Sequence, residues 1–493
     1  MTEEIPPTVV SGNSSRRGDE DSIIPGFNPI PPARSSSIHE KTPGLISTTR
    51  IYQKIGEGIV VPKENEKRPK ISIFKATLML SNICLGATIF TFGVRAKSFG
   101  LFWLIVACII IGIINYWTIM RGAYASSKNI GINDYSLLTG KILGKKPRFS
   151  LNILIILYTY GLMMCFLSLT FPLCGRFVQN LLYNKKYHSY DEFEKMMWGK
   201  IYIKLTFFIV ITFLVGVFCL IADINKLKYS SYIGVSFVIY SLFIVMVQCN
   251  DYYNYYKKTK YIKSDDKTHP NWFNLSKAFN NNLDFFKGMA SLFCAYACNP
   301  GTFPVFSEFK GRKNEMKNMK YSVFFSTCLI TFLHIISIVC SFLTDPYTPE
   351  DLVIFRKNKG NGKDIAMTIA NLLVALNLIL TIPEFFYNLR LNVAHTFTGG
   401  KITDKFNYIF TFLSCLACGI IAAFYDEVLN YLIYIGGFTV VFICYLYPIL
   451  IYVFSTEKKL KDWKNMLEII LAIILCIIGV IAGIATLIDD VKN

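Results

Sequence analysis

Eleven long apolar runs divide this sequence and constrain its fold more than any other feature. A helix needs about 20 mainly apolar residues to cross the ~30 Å hydrocarbon layer of a membrane. The runs lie at 72–97, 101–122, 149–181, 201–222, 229–249, 283–306, 321–343, 364–388, 406–425, 428–453 and 465–488. They are too long and too apolar for the core helices of a soluble domain. We therefore expect an all-α integral membrane protein with about 11 transmembrane helices.

The composition agrees with this expectation. Hydrophobic residues make up 53% of the chain and charged residues 17%, whereas soluble domains are about 25% charged. The formal net charge of +18 would suit a nucleic-acid partner in a soluble chain. In a membrane protein an excess of Lys and Arg instead sets the orientation of the loops. The expected partner is the lipid bilayer, and no nucleic acid is expected.

The polar segment 1–71 differs from everything after it. It is rich in proline and serine, cannot bury a core, and is predicted to be a disordered N-terminal tail. Because no secretory signal opens it, we expect the tail to be cytosolic. The predicted organisation after the tail is a five-helix block at 72–249, an extracytosolic loop at 250–282, a second five-helix block at 283–453 and an eleventh helix at 464–488.

The 14 cysteines lie within the apolar runs or at their edges. None lies in the tail or in a large loop, and their spacing fits neither a disulfide framework nor a metal site. We interpret them as small apolar core residues. No metal and no cofactor are expected.

Two apolar runs carry interruptions at matching places in the two blocks. The segment 81–93 contains Gly86, and the segment 293–304 contains Pro300 and Gly301. Proline removes a backbone donor and clashes with the preceding turn, so a straight helix is not expected there. A lone glycine such as Gly86 is also typical of close helix packing. Interrupted helices in corresponding positions of two halves, however, indicate a transporter binding site near the membrane midplane.

The first interrupted run resembles the first helix of the amino acid/auxin permease family of secondary transporters. That helix carries an asparagine, then a Gly-small-Gly-Ile-Leu-x-Leu-Pro stretch and a later glycine. Here Asn82, the stretch 86–92 and Gly100 match, while Gly93 replaces the family's proline. The loop sequence 134–138 resembles the family's Tyr-x-x-Leu stretch.

The sixth run carries the second part of the resemblance. The family pattern is Cys-His-x-Asn-x-x-Pro-Ile-Tyr-x-Glu-Leu. Cys298, Pro304 and Glu308 match it, while Asn299 replaces the histidine and Gly301 the asparagine. The resemblance covers all eleven runs and implies an amino acid transporter of the leucine-transporter fold. In that fold spans 1–5 and 6–10 are two inverted five-helix repeats, and helices 1 and 6 are broken at their centres.

A broken helix offers the groups that an amino acid needs. It presents free N–H groups at one half-helix N-terminus and carbonyl groups at the other half-helix C-terminus. The N–H groups of Gly86, Ala87 and Thr88 are expected to receive the substrate carboxylate. Carbonyl groups near Tyr296 and Asn299 are expected to receive the ammonium.

Aromatic side chains are expected to line the rest of the pocket. For any one aromatic residue taken alone, packing against lipid or core is the commoner role in so aromatic a membrane protein. No charged side chain lies at the centre of run 1 or run 6, so the expected substrate is neutral or aromatic. The predicted substrate-binding residues are Gly86, Ala87, Thr88, Tyr158, Phe293, Tyr296, Asn299 and Gly301.

The coupling ion is expected to be H⁺ or Na⁺. The resemblance implies a cation between span 1 and the inner half of span 8, where Asn82 and Thr381 lie. His334 is the only histidine inside a run, and an ionisable group within the membrane suggests a role in proton movement. The alternative is a neutral imidazole that is hydrogen-bonded to a neighbouring helix.

Two other functions remain open from the sequence. A membrane-embedded acyltransferase would need a second catalytic polar group beside His334, and the sequence offers no evident one. A nutrient sensor would use the same pocket and signal through the tail. We expect a transporter by alternating access rather than an enzyme, located in the plasma membrane or in a vacuolar or lysosome-like membrane.

Overall fold

A computed structural model describes residues 71–129, 132, 134–182, 201–221, 224–258, 272–273, 284–310, 314–346, 352–356, 364–397, 403–424, 427–456 and 462–492. The predicted tail at 1–71 therefore lies outside the described residues except for its last position. Most of the predicted loop at 250–282 also lies outside them.

The described residues form a succession of helices. In chain order these are α1 (Ile73–Cys84), α2 (Phe92–Phe99), α3 (Leu101–Ser127), α4 (Tyr135–Leu143), α5 (Lys145–Leu182), α6 (Ile201–Ile221), α7 (Ile224–Tyr256), α8 (Asp284–Ala295), α9 (Asn299–Ser307), α10 (Glu315–Thr344), α11 (Ile365–Phe397), α12 (Asp404–Phe424), α13 (Val428–Ile435), α14 (Tyr447–Ser455) and α15 (Trp463–Lys492). Short 3₁₀ turns lie at Ala87–Phe90 and Val353–Phe355, and a π-helix at Gly436–Leu446 joins α13 to α14.

Among the described residues, eight helices are long and apolar enough to cross a membrane. They are α3, α5, α7, α10, α11, α12, the continuous unit α13–α14 and α15. The predicted all-helical membrane fold is confirmed at this level. The predicted runs 72–97 and 283–306 are each divided into two short helices, and α6 lies within the run 201–222. The count of eleven crossings remains a prediction.

Helices of the first predicted block pack against helices of the second. The most extensive contact joins α5 and α11, while α3 packs on α10 and α6 on α12. Gly112 of α3 faces Thr331 of α10, and Gly216 of α6 faces Phe412 of α12. Glycine allows the close approach on which helix association in lipid depends, since no hydrophobic force drives it there.

Hydroxyl groups of α10 hold the first broken span. The hydroxyls of Ser81 in α1 and Ser326 in α10 are 3.0 Å apart. Farther along α10, the hydroxyl of Ser337 donates to the carbonyl of Ile89. Because Ile89 lies in the 3₁₀ turn that follows α1, α10 fixes both the helix and the turn where it is interrupted.

The π-helix at Gly436–Leu446 brings span 10 close to two neighbours. Gly436 lies against the carbonyl of Ala290 in α8, and Gly437 lies against the carbonyl of Gly479 in α15. A side chain at either glycine would collide with backbone atoms. π-Helical segments within α-helices occur frequently at functional sites, and this one contacts the second broken span.

Candidate functional site

The first break lies where the sequence predicts it. α1 ends at Cys84, and α2 begins eight residues later at Phe92. Between them the chain passes through Gly86 in an extended conformation and a single 3₁₀ turn. The first N–H groups of a helical turn have no partner inside it. Those of Gly86, Ala87 and Thr88 accordingly point out of the turn, and the buried hydroxyl of Thr88 has no partner among the described residues.

The second break lies within the predicted segment 293–304. α8 ends at Ala295, residues 296–298 are outside any helix, and α9 starts at Asn299. The sequence predicts that Pro300 and Gly301 interrupt this segment. Pro300 instead occupies the first turn of α9, where proline is tolerated because the N–H that it lacks has no acceptor within the helix.

The two broken spans run antiparallel and side by side. α1 contacts α9, α2 contacts α8, and the turn at Ala87–Phe90 also contacts α8. We call the face at which α1 begins the inner face and the opposite one the outer face. Gly301 of α9 lies directly against the side chain of Ile83 in α1. At this meeting of the inner half-helices, a larger residue would require the Ile83 side chain to shift.

Tyr158 of α5 reaches the second break. Its hydroxyl donates to the carbonyl oxygen of Ala297 over 3.0 Å. On the same helix, the ring of Phe166 lies at the first break, where a methyl group added at Gly86 would be 3.3 Å from it. Both rings meet Phe385 of α11 edge-on. The central helix pair α5 and α11 thus lines both unwound segments with aromatic side chains.

Phe293, Tyr445 and Asn299 connect the second broken span to span 10. The rings of Phe293 and Tyr445 lie 5.3 Å apart between centroids. The Tyr445 hydroxyl is buried and has no hydrogen-bond partner among the described residues. The side-chain amide of Asn299 donates to the carbonyl of Cys444. Both Cys444 and Tyr445 belong to the π-helix.

The hydroxyl of Tyr296 contacts two neighbouring helices. It donates to the carbonyl of Cys108 in α3 at 3.1 Å and lies 2.8 Å from the Thr331 hydroxyl in α10. The backbone carbonyl of Tyr296 accepts from the N–H of Cys298 at 2.9 Å. The Tyr296 hydroxyl thus fixes the break to two neighbouring helices.

Asn82 and Thr381 are the residues expected to hold a coupling ion, and Asn82 lies at a contact of α1, α7 and α11. The side-chain oxygens of Asn82 and Asn377 both point at Gly234 of α7. Both are buried, and neither has a hydrogen-bond partner in the described part of the chain. One turn farther along α11, the Thr381 hydroxyl donates to the Asn377 carbonyl over 2.7 Å.

His334 is a residue of α10 and lies on the side of that helix that faces the two breaks. It is fully buried, and its ring meets the rings of Phe92 and Tyr296 edge-on, each at 5.2 Å between centroids. Neither ring nitrogen has a hydrogen-bond partner among the described residues. The structure therefore does not show the predicted bond to a neighbouring helix, and it does not bring His334 together with Asn82 and Thr381.

Comparison with known proteins assigns the chain to a family. A family model described as "Transmembrane amino acid transporter protein" matches residues 69–489. The chain belongs to this transmembrane amino acid transporter family. Vacuolar amino acid transporter 2 of Saccharomyces cerevisiae is 24% identical over 494 residues, which cover 94% of this chain and 93% of that protein. The resemblance to amino acid/auxin permeases is confirmed, and the chain is a multi-pass membrane transporter of amino acids rather than an enzyme.

On the inner side of the transporter, α4 packs against the second broken span and the π-helix. The ring of Tyr135 stacks on Phe303 of α9 at 4.2 Å, and its hydroxyl donates to the Ile443 carbonyl over 2.7 Å. Beyond α9, Lys310 donates to the carbonyl of Ile132. Partial burial lowers the pKa of Lys310 to about 8. α4 therefore covers the inner end of the second broken span.

A charged cluster lies on the outer side of the transporter, where α7 meets the loop between α10 and α11. Arg356, in the loop between α10 and α11, is buried and stacks on the ring of Tyr252 at 3.8 Å. The Tyr252 hydroxyl donates to the carboxylate of Asp364 over 2.9 Å. Gln248 accepts from Arg356 and also donates to Asp364. Burial lowers the pKa of Arg356 below its ordinary value, although Asp364 beside it acts in the opposite direction.

Sequence reasoning missed several polar residues of the site. Tyr445, Asn377 and Asn115 are polar residues inside apolar runs. Asn115 donates to the sulfur of Cys298 over 3.6 Å, and its oxygen has no partner among the described residues. A buried asparagine in an apolar run is itself a signal, but only the tertiary contacts show which break or helix it faces.

Proposed function

We propose that this transporter binds a neutral amino acid between the unwound centres of spans 1 and 6 and moves it by alternating access. The observation that carries the proposal is the antiparallel contact of two broken helices, with α1 on α9 and α2 on α8. Such breaks leave backbone groups unpaired, which at membrane depth is tolerated only beside protein or a cavity.

The carboxylate of the substrate would bind the N–H groups of Gly86, Ala87 and Thr88. These groups lie at the start of a turn, where partial positive charge favours an anion. The ammonium would bind at the second break, between Tyr296 and Asn299. The Ala297 carbonyl there is occupied by the Tyr158 hydroxyl in this structure, which marks it as an acceptor that a donor can reach.

The side chain of the substrate would lie among Phe293, Tyr158, Phe166 and Tyr445. These rings are buried, and an uncharged lining selects against charged side chains because a charge would lose its hydration. Gly301 supports the site indirectly, since its small size lets α9 approach α1. The proposal therefore specifies a neutral or aromatic amino acid.

The arrangement of the other helices supports two inverted repeats. Three helix pairs are in contact: α3 with α10, α5 with α11 and α6 with α12. In the predicted order, the two helices of each pair are five spans apart and so hold the same position in the two blocks. With the broken spans as the first member of each block, this gives blocks at 72–249 and 283–453 and an additional helix at 464–488. Two such halves rocking around a fixed site would give alternating access.

Coupling is proposed to use a monovalent cation held by the amide oxygens of Asn82 and Asn377, with Thr381 beside them. A buried amide oxygen that accepts no hydrogen bond is energetically costly. A bound cation coordinated by both oxygens would remove this cost. The alternative is proton movement at His334. Its supporting observation is the absence of a partner at either ring nitrogen among the described residues.

The similarity to a protein named as a vacuolar transporter favours a vacuole-type membrane, and the plasma membrane is the alternative. The sensor alternative depends on the tail at 1–71. A sensor and a transporter would bind the same substrate, but only a transporter would move it across a bilayer.

Uptake into vesicles tests the proposed function. The purified full chain is reconstituted in liposomes, and radiolabelled leucine and phenylalanine are supplied with pH and sodium gradients imposed separately. We expect concentrative uptake that unlabelled neutral amino acids compete for and that a sodium gradient drives. Binding without uptake would indicate a sensor. Uptake driven by a pH gradient alone would transfer the coupling role to His334.

A further inference from the structure

A second concave site lies outside the substrate region, where α4, the start of α5 and the inner half of span 10 meet. It is a groove of about 980 Å³, within the range of ligand sites. Leu143, Leu154, Phe442 and Leu450 form apolar walls. From Phe442 to Phe454 the groove follows span 10 for about 18 Å at the rise of a helix.

The groove is a formed feature of the fold. The Tyr447 hydroxyl on span 10 donates to the carbonyl of Pro147 at the start of α5, over 3.1 Å. This bond joins the two walls at the inner end. Phe149 beside it is 55% exposed and Phe454 is 39% exposed, so the groove opens toward the bilayer rather than toward the substrate site.

Positive charge is concentrated at the inner end of the groove. Lys146 is the one charged residue among those that line it in the described structure, and Lys145 lies next to it. Both are exposed, and neither has a hydrogen bond or an ion pair with another described residue. No Asp or Glu occurs in the sequence 135–182, and 428–455 contains no charged residue at all. These two cations are therefore unbalanced by the walls.

We propose that this groove binds an anionic phospholipid, with an acyl chain along span 10 and the headgroup phosphate on Lys145 and Lys146. An elongated apolar trough with a cationic end matches a lipid in shape and in charge. Basic pockets between transmembrane helices are typical sites for acidic headgroups. An uncharged lipid would leave the lysines unused, and a soluble anion would leave the apolar walls unused.

Native mass spectrometry of the full chain in detergent tests the proposal. The chain is titrated with phosphatidylglycerol or with phosphatidylcholine of the same acyl chains. The wild type should retain phosphatidylglycerol roughly 30-fold more tightly, because each of the two lysines near an acidic headgroup contributes roughly 1 kcal/mol. The variant K145Q/K146Q should lose this preference and keep its weak binding of phosphatidylcholine.

Two further variants separate a site from general surface attraction. K317Q/K320Q makes the same change of charge at two exposed lysines at the start of α10 and should leave the preference intact. Leu450→Trp fills the groove and should reduce the binding of both lipids. Equal losses in K145Q/K146Q and K317Q/K320Q, or unchanged lipid binding in Leu450→Trp, would overturn the proposal. Monodisperse elution and retained amino acid binding verify the fold of each variant.

Discussion

The hydroxyl of Tyr158 donates a hydrogen bond to the carbonyl oxygen of Ala297 over 3.0 Å. Ala297 lies between α8 and α9, so its carbonyl has no partner within a continuous helix. A side chain of the central helix α5 supplies that partner. The contact fixes the second break to the rigid part of the bundle, and it marks the place where the substrate ammonium is expected to bind.

Removal of this hydroxyl should weaken both stability and substrate binding. Tyr158→Phe leaves a buried carbonyl unsatisfied, at a cost of about 1–3 kcal/mol. We expect a lower thermal midpoint in detergent and a higher KM for amino acid uptake. Tyr160→Phe is the matched control. Tyr160 lies on the same helix as Tyr158, and its hydroxyl is 2.9 Å from the hydroxyl of Ser414 on α12. An equal change of KM in both variants would contradict the role of Tyr158 at the site.

The contact between Gly301 and Ile83 should be sensitive to volume. A methyl group at Gly301 would overlap the end of the Ile83 side chain, so Gly301→Ala should force this side chain to repack between α1 and α9. The initial rate of uptake should fall severalfold, which corresponds to the lower end of the overpacking range of about 1–3 kcal/mol. In the double variant with Ile83→Ala the overlapping atoms are gone, and much of the rate should return. Rates are compared at equal amounts of reconstituted protein. A double variant slower than Gly301→Ala alone would exclude this steric explanation.

Asn377 should determine the response to the coupling cation. Asn377→Leu removes one of the two amide oxygens that point at Gly234, so uptake should lose its dependence on sodium concentration while exchange of internal for external substrate persists. Asn371→Leu changes another buried asparagine of α11 whose oxygen also has no partner among the described residues. Sodium dependence should survive there. The same sodium dependence in Asn377→Leu and in the wild type would disprove the proposed cation site.

His334 is expected to act by packing rather than by titration. Its ring lies between the edges of Phe92 and Tyr296, where a positive charge would be costly without a partner. His334→Gln should lower uptake by a similar factor at every pH from 5 to 8 and leave the shape of the pH profile unchanged. A flattened profile would instead assign proton coupling to His334.

The extents of the spans could be predicted from the sequence because hydropathy alone sets them. The run predicted at 149–181 is the helix Lys145–Leu182, and the differences are a few residues at polar ends. The run at 229–249 underestimates its helix, which extends to Tyr256. Tyrosines at that end are typical of the membrane–water interface, so the apolar pattern stops there although the helix continues.

The existence of two breaks could also be predicted from the sequence. The residues at which the helices end, and the side chains that contact the breaks, could not. Pro300 indicates an interruption without showing on which side of it the helix ends. The π-helix places Tyr445 beside Phe293, and the local sequence does not predict it. Its two glycines are required by close contacts with the distant residues Ala290 and Gly479. Asn377 likewise joins Asn82 only through the packing of α11 on α7. Such relationships depend on tertiary structure.

Equilibrium binding of a radiolabelled neutral amino acid to the purified chain tests the central claim most directly. The claim is that free N–H groups at Gly86, Ala87 and Thr88 hold the substrate carboxylate. Unlabelled leucine should displace labelled leucine, whereas leucinamide, which keeps the ammonium and the side chain but lacks the carboxylate, should be at least about tenfold weaker because a charge-assisted hydrogen bond is lost. Displacement by leucinamide as effective as by leucine, or by no amino acid at all, would contradict it.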